Sequence, residues 1–362
     1  MSDQVTNYQC PNCTGPLRFA GVAGLLVCDH CGTQLEVSVV EQLYADKEQE
    51  AAAAGTEPQW DLYSCGNAWS EEEAANMRGY ICPSCSAEII CDATTAATSC
   101  LYCGNPTVVP GQFSGQRPDF VIPFRLDKNA AIEALKKYYK GKKFLPKTFA
   151  DENHVNEIKG VYVPFWLYDG ESYANMRFRG TKVRSFRQGN YQVTETEHYR
   201  VMREGNVSFE KVPVDGSKKM PDAHMDSIEP FDYSGLAPFS TAYLPGFFAD
   251  KFDEDADTCA TRANGRIKAS TAEAFRSTTT GYSTLTPEYS VFKLKKGDVK
   301  YALLPVWMLH TKYAGADHLF AMNGQTGKLI GDLPVDKGKY WSWFAGIALP
   351  LAGILAVIMF LI

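Results

Sequence analysis

The sequence predicts an α+β protein: two N-terminal metal-binding ribbons, a mixed antiparallel α+β domain, and one C-terminal transmembrane helix. Three observations predict it. Eight of the eleven cysteines stand in four Cys-x-x-Cys pairs, residues 121–334 alternate helix and strand patterns, and the last twenty residues carry no charge. The 362 residues are 45% hydrophobic and 22% charged, a globular composition long enough for two or more folded units.

The cysteine pairs come first. Fourteen residues separate Cys10-x2-Cys13 from Cys28-x2-Cys31, and fourteen separate Cys82-x2-Cys85 from Cys100-x2-Cys103. The two blocks are offset by 72 residues, and at that offset Tyr8 matches Tyr80, Pro11 matches Pro83 and Gly32 matches Gly104. This is one small unit present twice. A tight Cys-x-x-Cys turn aims two thiolates at one ion, and two such turns complete a tetrahedral site. Cys10, Cys13, Cys28 and Cys31 are therefore read as one structural Zn²⁺ site, and Cys82, Cys85, Cys100 and Cys103 as a second. Each forms a rubredoxin-like zinc ribbon, over 1–40 and 80–108. Iron in a redox site uses the same four ligands. A filled tetrahedron leaves no position for water, so catalysis at zinc is not expected. Units this small have too little core to fold alone, so the metal supplies folding free energy. Cys65, Cys91 and Cys259 fall outside the pairs and read as buried small hydrophobes, and His30 as a bystander.

Charge bears on what the ribbons contact. Residues 1–110 carry three basic side chains (Arg18, Lys47, Arg78) against fourteen acidic ones, while residues 111–362 carry a net +5. A phosphate backbone needs Lys and Arg that these ribbons lack, so a protein partner is expected for them. The stretch 41–79 reads as a helical and flexible linker, Ala- and Glu-rich before Gly55 and Pro58. A second linker, 106–120, leads into the α+β domain, 119–334.

In that domain Asp127 predicts the N-cap of a helix through Lys140. Residues 160–170 read as a buried strand, 172–184 and 191–213 as alternating antiparallel strands, and roughly 253–277 as a long helix. Strands resume over 300–313 and 318–334, with a turn at Asn323-Gly324 and Gly327. The strands around Pro164-Phe165-Trp166 and Pro305-Val306-Trp307 look like copies, which suggests an internally duplicated unit. A proline inside a strand predicts an edge or a bulge. Six lysines, Lys136, Lys137, Lys140, Lys142, Lys143 and Lys147, fall within twelve positions. They read as a solvated face or as a contact with anionic lipid.

Residues 343–362, WFAGIALPLAGILAVIMFLI, are long enough to cross a bilayer as a helix at ~1.5 Å per residue. The anchor is set at 341–362, since Tyr340, Trp341 and Trp343 suit the headgroup level. Lys337 and Lys339 just before it place the soluble part on the cytoplasmic side. No phosphate-binding loop is present: Gly324-Gln325-Thr326-Gly327-Lys328-Leu329 has the wrong spacing. No metalloprotease or serine-hydrolase motif is present either, and no catalytic residue is assigned.

Several stretches together resemble a known group: CPSCSAEIICDATTAATSCLYCGN (82–105), KGVYVPFWLYD (159–169), STAYLPGFFADKFD (240–253), and NGQTGKLIGDLP before a membrane span. They are similar to the bacterial membrane-anchored double zinc-ribbon proteins that carry TFIIB-type zinc-ribbon or primosomal-helicase-like names. The resemblance covers nearly the whole chain. It implies a neighbour of flotillin-like proteins, linked with membrane-stress complexes that recruit phage-shock-type proteins. The expectation is a non-enzymatic, single-pass scaffold of the bacterial inner membrane, facing the cytoplasm, whose ribbons bind a flotillin-like partner. The alternative is a membrane-tethered protein associated with nucleic acid and replication.

Overall fold

The computed structural model describes residues 10–11, 16–20, 25–43, 45, 60–62, 65–95, 99–106, 108–111, 115–150 and 155–361. Cys13, Tyr8 and most of the connector 41–59 lie outside them. The fold is mixed α+β. It divides into two compact units, one of Met1–Gln59, Gly170–Ser208 and Ile267–Lys296, the other of Trp60–Asp169, Phe209–Arg266 and Gly297–Ile362.

The first unit holds a three-stranded antiparallel sheet, β1 (Leu17–Ala20), β2 (Leu25–Cys28) and β3 (Gln34–Glu36). It also holds the outer reaches of three long strands introduced below. There Met176, Phe178 and Val201 are buried, with Phe275, Tyr282 and Phe292 packed around them.

The second unit is built on a large sheet. Its short strands are β4 (Met77–Ile81), β5 (Glu88–Asp92), β6 (Val109–Gly111) and β7 (Phe120–Val121). Two strands of the hairpin arm follow, β8 (Lys159–Gln188) and β9 (Tyr191–Asp215). Then come β10 (Ala237–Pro238), β11 (Phe248–Asp250), the long β12 (Thr284–Tyr313), β13 (Ala316–Asn323) and β14 (Leu329–Gly331). The order is β10-β7-β12-β8-β11-β5-β4-β6, with β9 on β8, and β13 then β14 extending from β12. The cysteine-bearing hairpin β4–β5 is continuous with this sheet, because Ile90 and Ile89 pair with Ala249 and Asp250 of β11. Within the stretch 106–120, β6 pairs with β4, and Arg117 grips Glu73 through Nε and Nη2 at 3.0 and 3.1 Å.

The helix Lys128–Tyr139 is capped by Asp127, whose Oδ1 accepts from the Ala130 amide at 2.8 Å. Its buried face, Ala131, Leu135 and Tyr139, packs with Phe149, Trp307 and Phe320. The helix Ala256–Ser277 has the same start, with Asp255 accepting from the Thr258 amide at 2.8 Å.

Pro164 and Pro305 differ from the edge expectation, since β8 and β12 sit in the middle of the sheet. The reason is the brevity of their parallel neighbours. β11 meets β8 only at Val161 and Tyr162, and β7 meets β12 only at Ala302 and Leu303, so each proline falls just past the paired stretch. Each proline carbonyl is still used, accepting from Gly216 at 2.9 Å and from Gly324 at 2.8 Å.

The Asn323–Lys328 turn is a structural clamp. Buried Asn323 donates to the Ile228 carbonyl and accepts from the amides of Gln325 and Thr326. Gln325 pairs with both backbone groups of Asp232, at 2.7 and 2.9 Å. Among the described residues, one helix, Lys337–Leu361, is long and apolar enough to cross a membrane, with none of its most apolar stretch buried.

Candidate metal centre

The second cysteine set is complete. Cys82 follows β4, Cys85 precedes β5, and Cys100 and Cys103 lie on the turn before β6. All four Sγ atoms lie within 4.8 Å of one another. Cys82 and Cys103 are 3.6 Å apart, and Cys85 and Cys100 3.5 Å. A tetrahedron with metal–sulfur bonds of ~2.3 Å has sulfur–sulfur edges of about 3.8 Å. Two of the six edges are thus close to that value, and the four thiols are near enough together to hold one tetrahedral ion. Such an ion supplies a closed, four-thiolate crosslink between the two turns.

The local folding is a repeated backbone device. The Cys82 amide donates to the Ala87 carbonyl and the Ser86 amide to the Cys82 carbonyl. The Cys100 amide donates to Asn105. In the first set the Cys28 amide donates to Thr33, and the Gly32 amide to Cys28. The residue four positions after Cys82, Cys100 and Cys28 takes a left-handed backbone: Ser86 at φ 58°, Gly104 at 67°, Gly32 at 71°. Gly104 has a second reason to be glycine, since a Cβ there would lie 2.8 Å from Nδ1 of His310; at Gly32 the same position is open.

In the first set Cys10, Cys28 and Cys31 come together, with Cys10 and Cys31 Sγ 3.6 Å apart. Cys10 and Cys28 are buried and Cys31 is exposed; Cys13, the fourth predicted ligand, is not among the described residues. His30 is exposed on the turn. Of the remaining cysteines Cys91 and Cys259 are buried as expected, while Cys65 is only partly so. Cys91 donates to the Thr95 carbonyl at 3.0 Å, and burial pushes its thiol up to about 11. Burial also pushes Cys259 up to about 12. Cys65 is half-buried beside the Leu62 carbonyl, raised first by burial and then by Asp119.

Two surroundings of the second site were not legible in the sequence. A cavity of about 350 Å³ opens beside Cys100, lined among others by Ser99, Gly104, Glu157, Lys159 and His310. Lys159 donates to Ser99 Oγ at 2.5 Å, and burial lowers its pKa. His310 lies 3.2 Å from Asp317, and burial lowers its pKa against that carboxylate's pull. On another side Tyr102, between Cys100 and Cys103, lies alongside buried Asp250, which accepts from Ser217 Oγ at 2.7 Å. Burial raises the Asp250 carboxyl to about 6. Lys159 and His310 are 59 and 210 residues from Cys100, so no local pattern could find them.

A curated relative, the uncharacterized protein YdjG of Bacillus subtilis strain 168, is 36% identical over 345 residues, covering 95% of this chain and 94% of that protein. No protein-family model matches the chain, and no solved structure matches it.

Proposed function

The chain belongs to the family of Bacillus YdjG, and we propose that it is a non-enzymatic, membrane-anchored zinc-ribbon scaffold. Cys82, Cys85, Cys100 and Cys103 hold one Zn²⁺ as a rubredoxin-like ribbon. Cys10, Cys28 and Cys31, with Cys13, hold a second. The helix Lys337–Leu361 spans the bacterial inner membrane, with the soluble units on the cytoplasmic side, as Lys337 and Lys339 in its first turn favour. The ribbons contact a protein partner at that membrane, and the resemblance named above makes it a flotillin-like oligomer of a stress-response complex that recruits phage-shock-type proteins. The α+β domain carries an internal duplication, which the paired Asp-capped helices and the paired proline-bearing strands support.

The observation that carries the reading is the four-thiol cluster on the same chain as the apolar helix. Four soft ligands favour zinc or iron–sulfur chemistry over hard cations, and a closed site favours a structural over a catalytic role. The acidic ribbons favour a protein over a phosphate backbone.

Affinity capture of the full chain from membranes in mild detergent tests it. The parent should retain a membrane-protein partner that Cys82→Ser loses. Unchanged capture by a variant with both cysteine sets replaced would overturn the adaptor role. Salt-sensitive co-purification of DNA would favour the nucleic-acid alternative instead.

A further inference from the structure

The six-lysine stretch and the membrane helix are far apart in sequence but fastened together in the fold. Past the end of the helix Lys128–Tyr139, the chain turns through 140–147 and meets the start of the helix Lys337–Leu361. The Asp336 amide donates to the Phe144 carbonyl at 2.8 Å, and Lys339 Nζ donates to the Leu145 carbonyl at 2.7 Å. The Phe144 ring sits edge-on to Tyr340 and Trp343, with centroids 5.8 and 6.4 Å apart. Lys143 places its ammonium 4.2 Å from the Trp343 ring centre.

These contacts set a depth. Tyr340, Trp341 and Trp343 are exposed aromatics at the polar end of an apolar helix, the position that aromatic side chains take at the headgroup level. With that belt at the headgroup level, Lys143 on Trp343 would stand within a Debye length of the lipid phosphates, ~8 Å at physiological salt. Lys136, Lys137, Lys140, Lys142 and Lys143 are all exposed, as is Lys337. No carboxylate falls between Glu133 and Asp151. Asp336, the acid nearest in sequence to the membrane helix, accepts from the amides of Gly338 and Lys339 and so caps the helix.

We propose that Lys136, Lys137, Lys140, Lys142, Lys143 and Lys337 form a binding surface for the headgroups of an anionic phospholipid bilayer. The surface rests on the anchoring reading and extends it: the α+β domain is pressed to the membrane by charge as well as tethered by its helix. Each lysine in reach of an anionic surface adds about fivefold in affinity. The requirement is for charge rather than a planar fork, so Lys suffices where Arg would be needed for bidentate pairing.

The test uses the full chain in nanodiscs of pure phosphatidylcholine and in nanodiscs with one third phosphatidylglycerol. Amine acylation, read by peptide mass spectrometry, gives a labelling rate at each lysine, with exposed Lys268 as the internal reference. Lys142 and Lys143 should label several-fold more slowly in the anionic discs at low salt, and high salt should erase the difference. The variant K136Q/K137Q/K140Q/K142Q/K143Q alters only exposed side chains, and it should co-purify with less phosphatidylglycerol than the parent. Equal labelling in both discs overturns the proposal and leaves the anchor standing. Equal slowing by dissolved inorganic phosphate overturns the bilayer as the source. Failure to insert into either disc overturns the anchor and the lipid surface together.

Discussion

The indole Nε1 of Trp166 donates to the carbonyl of Glu254 at 2.9 Å, closing a contact across 88 residues. Trp307 repeats it at Leu126, at 3.1 Å. Glu254 and Leu126 each stand immediately before an N-cap aspartate, Asp255 and Asp127. Each tryptophan on a central strand therefore pins the start of a helix that begins beyond a short parallel strand. The partners are crossed: β8 takes the helix that precedes β12, and β12 takes the helix that precedes β8.

Trp166→Phe and Trp307→Phe keep most of the buried ring and remove one donor each. Each should cost about 1 kcal/mol, read from urea unfolding. Because the contacts lie in separate clusters, the double variant should cost close to the sum. A double variant no less stable than the parent would show that the two bonds do not hold the helix starts.

Gly104→Ala and Gly32→Ala should separate. Both put alanine at a positive φ, a cost of roughly 1 kcal/mol. Only Gly104→Ala also drives a Cβ into the His310 ring. It should therefore lower metal retention at the second cysteine set under mild chelation more than Gly32→Ala does at the first. Equal loss at the two sites would rule out the His310 contact as the difference.

These cases mark what was legible in the residues. The Cys-x-x-Cys spacing located the second four-cysteine cluster, because a knuckle is built by hydrogen bonds spanning five residues and its pattern is local. Asp127 marked a helix start for the same reason. The prolines of Pro164-Phe165-Trp166 and Pro305-Val306-Trp307 suggest edges or bulges, because nothing local tells how far a neighbouring strand extends. The union of β5 with β11, the approach of Lys159 and His310 to Cys100, and the docking of Phe144 on Trp343 all join distant segments. Such contacts come from packing, and no short pattern encodes them.

The Asp250 carboxyl makes a pH prediction. Its raised pKa means that the folded chain binds this proton more tightly than the unfolded chain. Its contribution to stability is thus full below the ordinary carboxylate value and is lost as pH rises through about 6. Asp250→Asn keeps an acceptor for Ser217 without the buried charge. It should flatten the decline in stability between pH 4 and pH 7 and be more stable than the parent at pH 8, by about 3 kcal/mol. Asp215, raised to about 6 chiefly by burial, contributes the same sign in both proteins and cancels in the comparison. Parallel stability profiles for parent and variant would contradict the assignment.

The central claim is that the cysteine sets are structural zinc sites. Elemental analysis of the intact chain, purified from membranes in detergent without chelator, tests it most directly. The account predicts two zinc ions per chain, falling to one in Cys82→Ser, with that variant losing order around β4 and β5. A parent chain carrying no zinc, or iron in its place, would contradict it.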